Sequence, residues 1–353
     1  MASHFDLSRR HFAANLVAAG SALAVPSIYP QARVDSKALE KTKVTLSVDG
    51  KSALSYLPLT MALQLGYFNA EGLDVQVNDL GDAASATQAL MNGTADVCSG
   101  SFDRTLQSPA KNQVLKAFVL QGRTPQLAFG VSTRLMPYAG MTDLRSKKLG
   151  VTALDSTSSL MVKLLLQREG LGAHDVDWVA VGSSAGALTA LRSGQIDAVC
   201  NIDPLMTIFE QKGDVKIIHD TRSLKGATEL FGGLVPSACL YATTEFVQKH
   251  PQTCQALANA IVHSLKWLQT AGPGDIINTV PTSYLLGDRA LYLAAFNKVR
   301  ESIALDGMVP DDGALAVLKL HSRYDKGLTA AKADVGRCYT NEFARRAKSR
   351  FRA

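Results

Sequence analysis

Polar and apolar positions alternate along Lys43-Val44-Thr45-Leu46-Ser47-Val48, as a half-buried strand requires, and the alternation breaks at Asp49-Gly50. A polar loop from Lys51 to Tyr56 leads to Pro58 at a first helical position, and the helix pattern runs from Leu59 to Leu65 and stops at Gly66. A second strand is predicted over Leu73 to Val77 and a third over Leu115 to Leu120. Leu127 to Val131 reads as a strand that crosses into a second half of the chain. There the pattern resumes, with strands at Leu149 to Thr152, Trp178 to Val181 and Val215 to Ile218, each followed or preceded by a helix-periodic run. Leu234 to Tyr241 reads as the return strand. From Thr244 onward the spacing of apolar residues is three and four, most clearly over Cys254 to Leu268, and predicts helices packed on the first half.

Inside this alternation lies a repeat. Residues 86–103 and 187–204 both carry a short helical run, then Leu-x-x-Gly-x-x-Asp, then an apolar strand ending in a polar turn. Leu90, Gly93 and Asp96 recur 101 residues later as Leu191, Gly194 and Asp197. The glycine ends a helix in a left-handed conformation and the aspartate opens a buried parallel strand. Those strands deliver Ser99-Gly100-Ser101-Phe102 and Asn201-Ile202-Asp203-Pro204 to their carboxyl ends, where open parallel sheets bind ligands. The expected fold is α/β with two lobes, each a mainly parallel sheet flanked by helices, joined by two crossover strands. Lobe one is expected over 41–130 plus 235–342 and lobe two over 131–234.

Composition adds limits. At 353 residues, 46% apolar and 19% charged, the chain suits two globular lobes. Its net charge of +6 is concentrated at the ends. Residues 343–353 hold Arg345, Arg346, Lys348, Arg350 and Arg352 without an acid, the first 32 residues net +1, and the body between is neutral. A neutral body argues against a nucleic-acid surface, and the basic tail is expected to be solvated and frayed. The five cysteines show no C-x-x-C spacing, so neither a zinc site nor a redox motif is indicated, and Cys98 and Cys200 are expected as small buried hydrophobes. No cofactor is expected.

Ser8-Arg9-Arg10-His11-Phe12, a weakly hydrophobic run and the small residues at Ala22-Leu23-Ala24 make an export signal of twin-arginine type, with cleavage after Ala24 or Ala32. An ordinary secretory signal with two arginines is the alternative. A soluble, monomeric protein in the periplasm is the expectation.

Leu65-Gly66-Tyr67-Phe68-Asn69-Ala70-Glu71-Gly72-Leu73-Asp74-Val75, following the Pro58 helix, resembles the opening of the nitrate/sulfonate/taurine-type substrate-binding proteins of ABC transporters. Asp143-Leu144 followed by Lys148-Leu149-Gly150-Val151 resembles the start of that family's second lobe. The likeness spans roughly 43–270. It implies a two-lobed periplasmic-binding-protein fold and a partner permease with its ATPase in the inner membrane.

The candidate site gathers residues from both halves. Ser156, Thr157 and Ser158 follow Asp155 at a helix start, where free amides, hydroxyls and the positive helix end suit an oxyanion or carboxylate; a plain helix cap explains the same residues. Lobe one offers Asp49, Ser52, Tyr56, Ser99, Ser101, Phe102 and Arg123, and lobe two adds Asn201 and Asp203. Tyr56 and Phe102 suit stacking on a ring or covering an aliphatic chain. Arg123 suits a bidentate pair with a carboxylate or sulfonate, or else is a surface arginine. Asp203 either caps a helix or meets a ligand donor. The seven histidines have no metal spacing, and no serine elbow or phosphate loop is present. The reading is a periplasmic solute-binding component of an ABC importer that takes a small organic anion, sulfonate- or carboxylate-like, by hinge closure. The alternatives are a binding protein for a neutral heteroaromatic such as a thiamin-precursor pyrimidine, an exported enzyme on the same fold, and a sensor domain that partners a membrane kinase.

Overall fold

The computed structural model describes residues 38–106, 114–183, 185–324 and 334–353. The expected export signal lies outside the described residues. Among them, no helix is long and apolar enough to cross a membrane.

The first sheet is built from β1 (Lys43–Val48), β2 (Asp74–Asp79), β3 (Val97–Ser101), β4 (Leu115–Leu120) and β10 (Ala238–Thr243), in the order β2-β1-β3-β10-β4. The second contains β5 (Leu127–Ser132), β6 (Lys148–Val151), β7 (Asp177–Ala180), β8 (Ala198–Ile202) and β9 (Val215–Asp220), in the order β7-β6-β8-β5-β9. The two orders are the same plan. In each, three parallel strands are followed by one antiparallel strand contributed from the other half of the chain. β10 pairs antiparallel with β3 and β4, and β5 does so with β8 and β9. These two strands are the crossovers, and they make each sheet mixed. β5 lies wholly in the second sheet, so the chain changes lobes between Gln121 and Gln126.

The repeat accounts for this symmetry. Gly93 and Gly194 end their helices at φ +78° and +77°, which only a residue without Cβ adopts cheaply. Asp96 then accepts the Thr45 amide at 3.0 Å and donates its own amide to Thr45. Asp197 does the same with Lys148, accepting its amide at 2.8 Å. Each aspartate therefore pins the start of β3 or β8 to the neighbouring parallel strand and fixes its register. Cys98 and Cys200 sit on these strands, fully buried.

Helices α1 (Leu57–Gln64), α2 (Tyr67–Ala70), α3 (Ala83–Met91) and α4 (Asp103–Leu106) belong to the first lobe. The second lobe carries α5 (Thr157–Arg168), α6 (Ala185–Arg192), α7 (Leu205–Gln211) and α8 (Leu224–Phe231). After the return strand come α9 (Thr244–Lys249), α10 (Pro251–Thr270), α11 (Pro273–Thr279), α12 (Arg289–Val299), α13 (Gly313–Ser322) and α14 (Glu342–Phe351). The long α10 buries Leu257, Ile261, Leu265 and Leu268 in the first core. α12 packs on α7 of lobe two. α13 spans the lobes, with Val317 and Leu318 in the first core and Leu320 in the second.

The basic C-terminus departs from the sequence expectation of a frayed tail. It forms α14, which lies along α10 and β4 and buries Phe343, Ala344 and Ala347. Its charges find acids on the body: Lys348 meets Asp306 and Arg350 meets Glu71, both at 2.8 Å. An amphipathic helix with one apolar stripe carries its lysines and arginines outward, so composition alone reads as a tail.

Candidate functional site

The carboxyl ends of both sheets meet at a cavity of about 100 Å³. From lobe one it is lined by Asp49 after β1, Ser55 and Tyr56, the Gly81-Asp82-Ala83 start of α3, and Ser101, Asp103 and Arg104 after β3. Lobe two contributes Thr152, Ala153, Ser156, Thr157 and Ser158 between β6 and α5, and Gly182 and Ser183 before α6. Three helices, α3, α5 and α6, therefore begin at the cavity wall. Their first-turn amides point out of the helix and their positive ends face the space between the lobes.

The lobes are in contact around it. Arg104 pairs with Asp155 of lobe two at 2.6 and 3.2 Å through two guanidinium nitrogens. The Thr157 hydroxyl donates to Asp103 at 3.0 Å, the Ser183 hydroxyl to the Asp49 carbonyl at 3.3 Å, and the Leu54 amide to the Asp203 carbonyl at 3.0 Å. Gly50 makes this approach possible: at φ +153° it has no room for a Cβ, which would meet the Ser183 hydroxyl at 2.9 Å. His321 of α13 reaches Asp103 at 3.3 Å, with both side chains almost fully buried.

Environment sets the charges. Burial on its own would push the Asp103 carboxyl up, but the hydrogen bond and charge of His321, then Arg104 and the Ser101 hydroxyl, hold it far below the usual carboxylate range. Burial likewise opposes charge on Arg104, and Asp155 and Asp103 more than offset it, so the guanidinium stays charged. Asp49 is different. Burial raises its pKa, and the hydrogen bond from Tyr56 offsets only part of that. Asp82 is held low by the hydroxyl and amide of Ser85, which it caps at the start of α3.

Of the residues singled out from sequence, Asp49, Tyr56, Ser101, Ser156, Thr157 and Ser158 line the cavity. The Ser156 hydroxyl also caps α5 and joins the Thr152 and Ser158 hydroxyls, so cap and cavity wall are the same residues. The other six stand elsewhere. Ser52 lies in the turn before the cavity residues and outside its lining. Ser99 faces into the sheet, where its hydroxyl accepts from Gln121 at 2.9 Å. Phe102 is fully buried in the first core, edge-on to Tyr339. Arg123 grips the Glu301 carbonyl through two guanidinium nitrogens, at 2.8 and 2.6 Å. Asn201 donates to the Gly182 carbonyl at 2.8 Å and so steadies the loop that carries Ser183. Asp203 accepts the Thr207 amide and pairs with the buried Arg222. The residues that sequence reading passed over include Ser55, Asp82, Asp103, Arg104, Thr152, Ser183 and Ser237. Asp103 and Arg104 stand directly after the Ser101-Phe102 turn already singled out, and one further step along that turn reaches them.

The match to the family model described as "NMT1/THI5 like" runs over residues 54–271, which is more than half of the chain. The chain belongs to the NMT1/THI5-like family. Among solved structures, this NMT1/THI5-like protein is similar to one from Bordetella bronchiseptica RB50, with 47% identity, a TM-score of 0.85, and coverage of 90% of this chain and 100% of that one. It shares its fold with the periplasmic nitrate-binding protein NrtA of Synechocystis PCC 6803, at a TM-score of 0.71 and 13% identity over 89% of this chain and 90% of that one. The same holds for the alkanesulfonate-binding protein SsuA of Xanthomonas axonopodis pv. citri, bound to MOPS, at a TM-score of 0.62 and 16% identity over 80% of this chain and 92% of that one. The fold is that of the periplasmic binding proteins.

Proposed function

We propose that this protein is an exported, monomeric solute-binding component of an ABC importer, which captures a small polar molecule between its lobes and presents it to a membrane permease. One observation carries the reading: a small cavity at the carboxyl ends of both sheets, walled by both lobes and sealed by bonds between them. A ligand that touches both walls stabilises the closed form relative to the open one, which is how hinge proteins convert binding into a shape a partner can read. Three helix starts at the cavity wall favour an acceptor-rich end on the ligand, sulfonate- or carboxylate-like. The ring-stacking alternative keeps only Tyr56, since Phe102 is committed to the core. Binding without turnover is in keeping with a site whose acids and cation are held by each other.

The test is a thermal-shift screen over alkyl sulfonates, carboxylates, nitrate and pyrimidines, with solution scattering on any hit. At 100 times its dissociation constant a true ligand adds roughly 2.7 kcal/mol to stability. It should also reduce the radius of gyration. A hit that leaves the scattering curve unchanged sinks the closure mechanism.

A further inference from the structure

Both crossovers pass through one narrow place. Gln121 and Gly122 of the outgoing chain donate their amides to the Ala238 carbonyl of the returning one, and the Ser237 amide donates back to Gly122 at 2.9 Å. Gly122 allows this approach, since a Cβ there would meet the Ser237 hydroxyl at 2.7 Å. A third segment lies against the outgoing chain. Ile303 pairs antiparallel with Gly122, the Arg123 amide donates to the Ser302 carbonyl, and the Ala304 amide donates to the Gln121 carbonyl, the last two at 2.9 Å. Residues 301–304 are therefore a third member of the junction between the lobes.

This segment is rooted in lobe one and reaches lobe two. Ile303 and Ala304 are buried in the first core. The two residues before them hold the turn between β9 and α8. The fully buried Ser302 hydroxyl donates to the Arg222 carbonyl, and the Glu301 carboxylate accepts the Leu224 amide at 2.8 Å. Leu224 opens α8, so its amide has no acceptor within the helix, and Glu301 supplies one together with a negative charge at the positive helix end. The Arg123 guanidinium grips the Glu301 carbonyl and fixes the backbone from which that carboxylate extends. Neither Glu301 nor Ser302 lines the cavity.

We infer that Glu301 and Ser302 are positioning residues for lobe closure, which hold lobe two in its closed orientation from the junction and not from the cleft. Bonds between two bodies that turn against each other favour the orientation in which they are made. The two residues bind no ligand and act through Arg222 and Leu224. This rests on the closure part of the solute-binding reading.

The experiment measures the distance between the lobes in the ligand-free protein by pulsed electron resonance. Spin labels go on Gln88→Cys of α3 and Thr189→Cys of α6, exposed positions that correspond in the repeat. The five native cysteines are buried and stay unlabelled. Glu301→Ala and Ser302→Ala should each move the distribution to longer distances. Together they should raise the open-to-closed ratio about tenfold or more, as the loss of two hydrogen bonds gives. Glu301 is exposed, so its replacement leaves the core intact. Glu301→Gln keeps an acceptor for the Leu224 amide and should match the native distribution. A double variant that superimposes on the native curve while Asp155→Asn shifts it overturns the inference and leaves closure standing. Glu301→Gln as open as Glu301→Ala overturns it too. If neither the double variant nor Asp155→Asn moves the curve, the closure reading falls with it.

Discussion

Two buried arginines show how differently the same side chain is used in the two halves of this molecule. Arg222, 1% exposed, is ringed by Asp203, Thr207, Glu210 and Asp220, all of lobe two. Lys298 of α12 meets the same Glu210, and the Ser302 hydroxyl donates to the Arg222 carbonyl. The acids are all of lobe two, while Lys298 and Ser302 belong to a segment whose buried residues pack in the first core, so the cluster ties that segment to lobe two. Arg104 is nearly as buried, but its carboxylate partner Asp155 stands on the opposite lobe with a side chain 62% exposed. Under the proposed closure, that bond would break as the lobes part. A buried charge whose acids share its lobe is architecture, and one whose acid stands on the other lobe would, under the proposed closure, belong to the moving site.

The largest effect is expected at Arg222. Arg222→Met strips the cation from three acids, of which Asp203 is fully buried, and breaking such a buried pair costs about 3–5 kcal/mol. Urea melts should show that loss with ligand discrimination unchanged in the fraction that folds. A loss under about 1 kcal/mol would erase the contrast.

A smaller effect of opposite sign is expected at Asp49. Its folded pKa is raised by burial, so the folded protein binds more protons than the unfolded chain above the ordinary carboxylate range. Stability from this group is therefore fully present below the unfolded value and lost as pH rises through the folded one. Asp49→Asn should accordingly stabilise the ligand-free protein at pH 7, by roughly 0.5–2 kcal/mol as is usual when a site is relieved of strain. The gain should vanish in acid. A melting series from pH 3 to 8 checks both the sign and the window.

The smallest effect is expected at Asp155, since a half-exposed ion pair is worth at most about 1 kcal/mol. Asp155→Asn should scarcely move the melting temperature, yet it should shift the ligand-free protein toward the open form in solution scattering. If Asp155→Asn instead destabilises as much as Arg222→Met, both arginines are architectural.

Much of the fold is legible in the chain because its signals are local. The glycine that ends a helix and the aspartate that opens a strand are separated by three residues, and they recur 101 residues apart at Gly93, Asp96, Gly194 and Asp197. Local geometry dictates what each does, and the same pinning of β3 to β1 and β8 to β6 follows in both lobes. The strand ends that carry the site follow from the same repeat, as does the cluster at the start of α5.

Which side chains at those ends face the cavity was decided by tertiary structure. Successive strand residues point to opposite faces, so Ser99 and Ser101, two apart, share a face and were both reasonable candidates. Gln121, twenty-two residues away, takes the first into the sheet and leaves the second at the cavity. Asp203 stands at a strand end like the candidates around it, but Arg222, nineteen residues later, draws it inward. Asp103 and Arg104 became the core of the site through His321 and Asp155, which lie far along the chain. Sequence spacing determines the elements and where they end, because those depend on neighbours in the chain. Partnership between charges depends on neighbours in space, and only the folded structure supplies them.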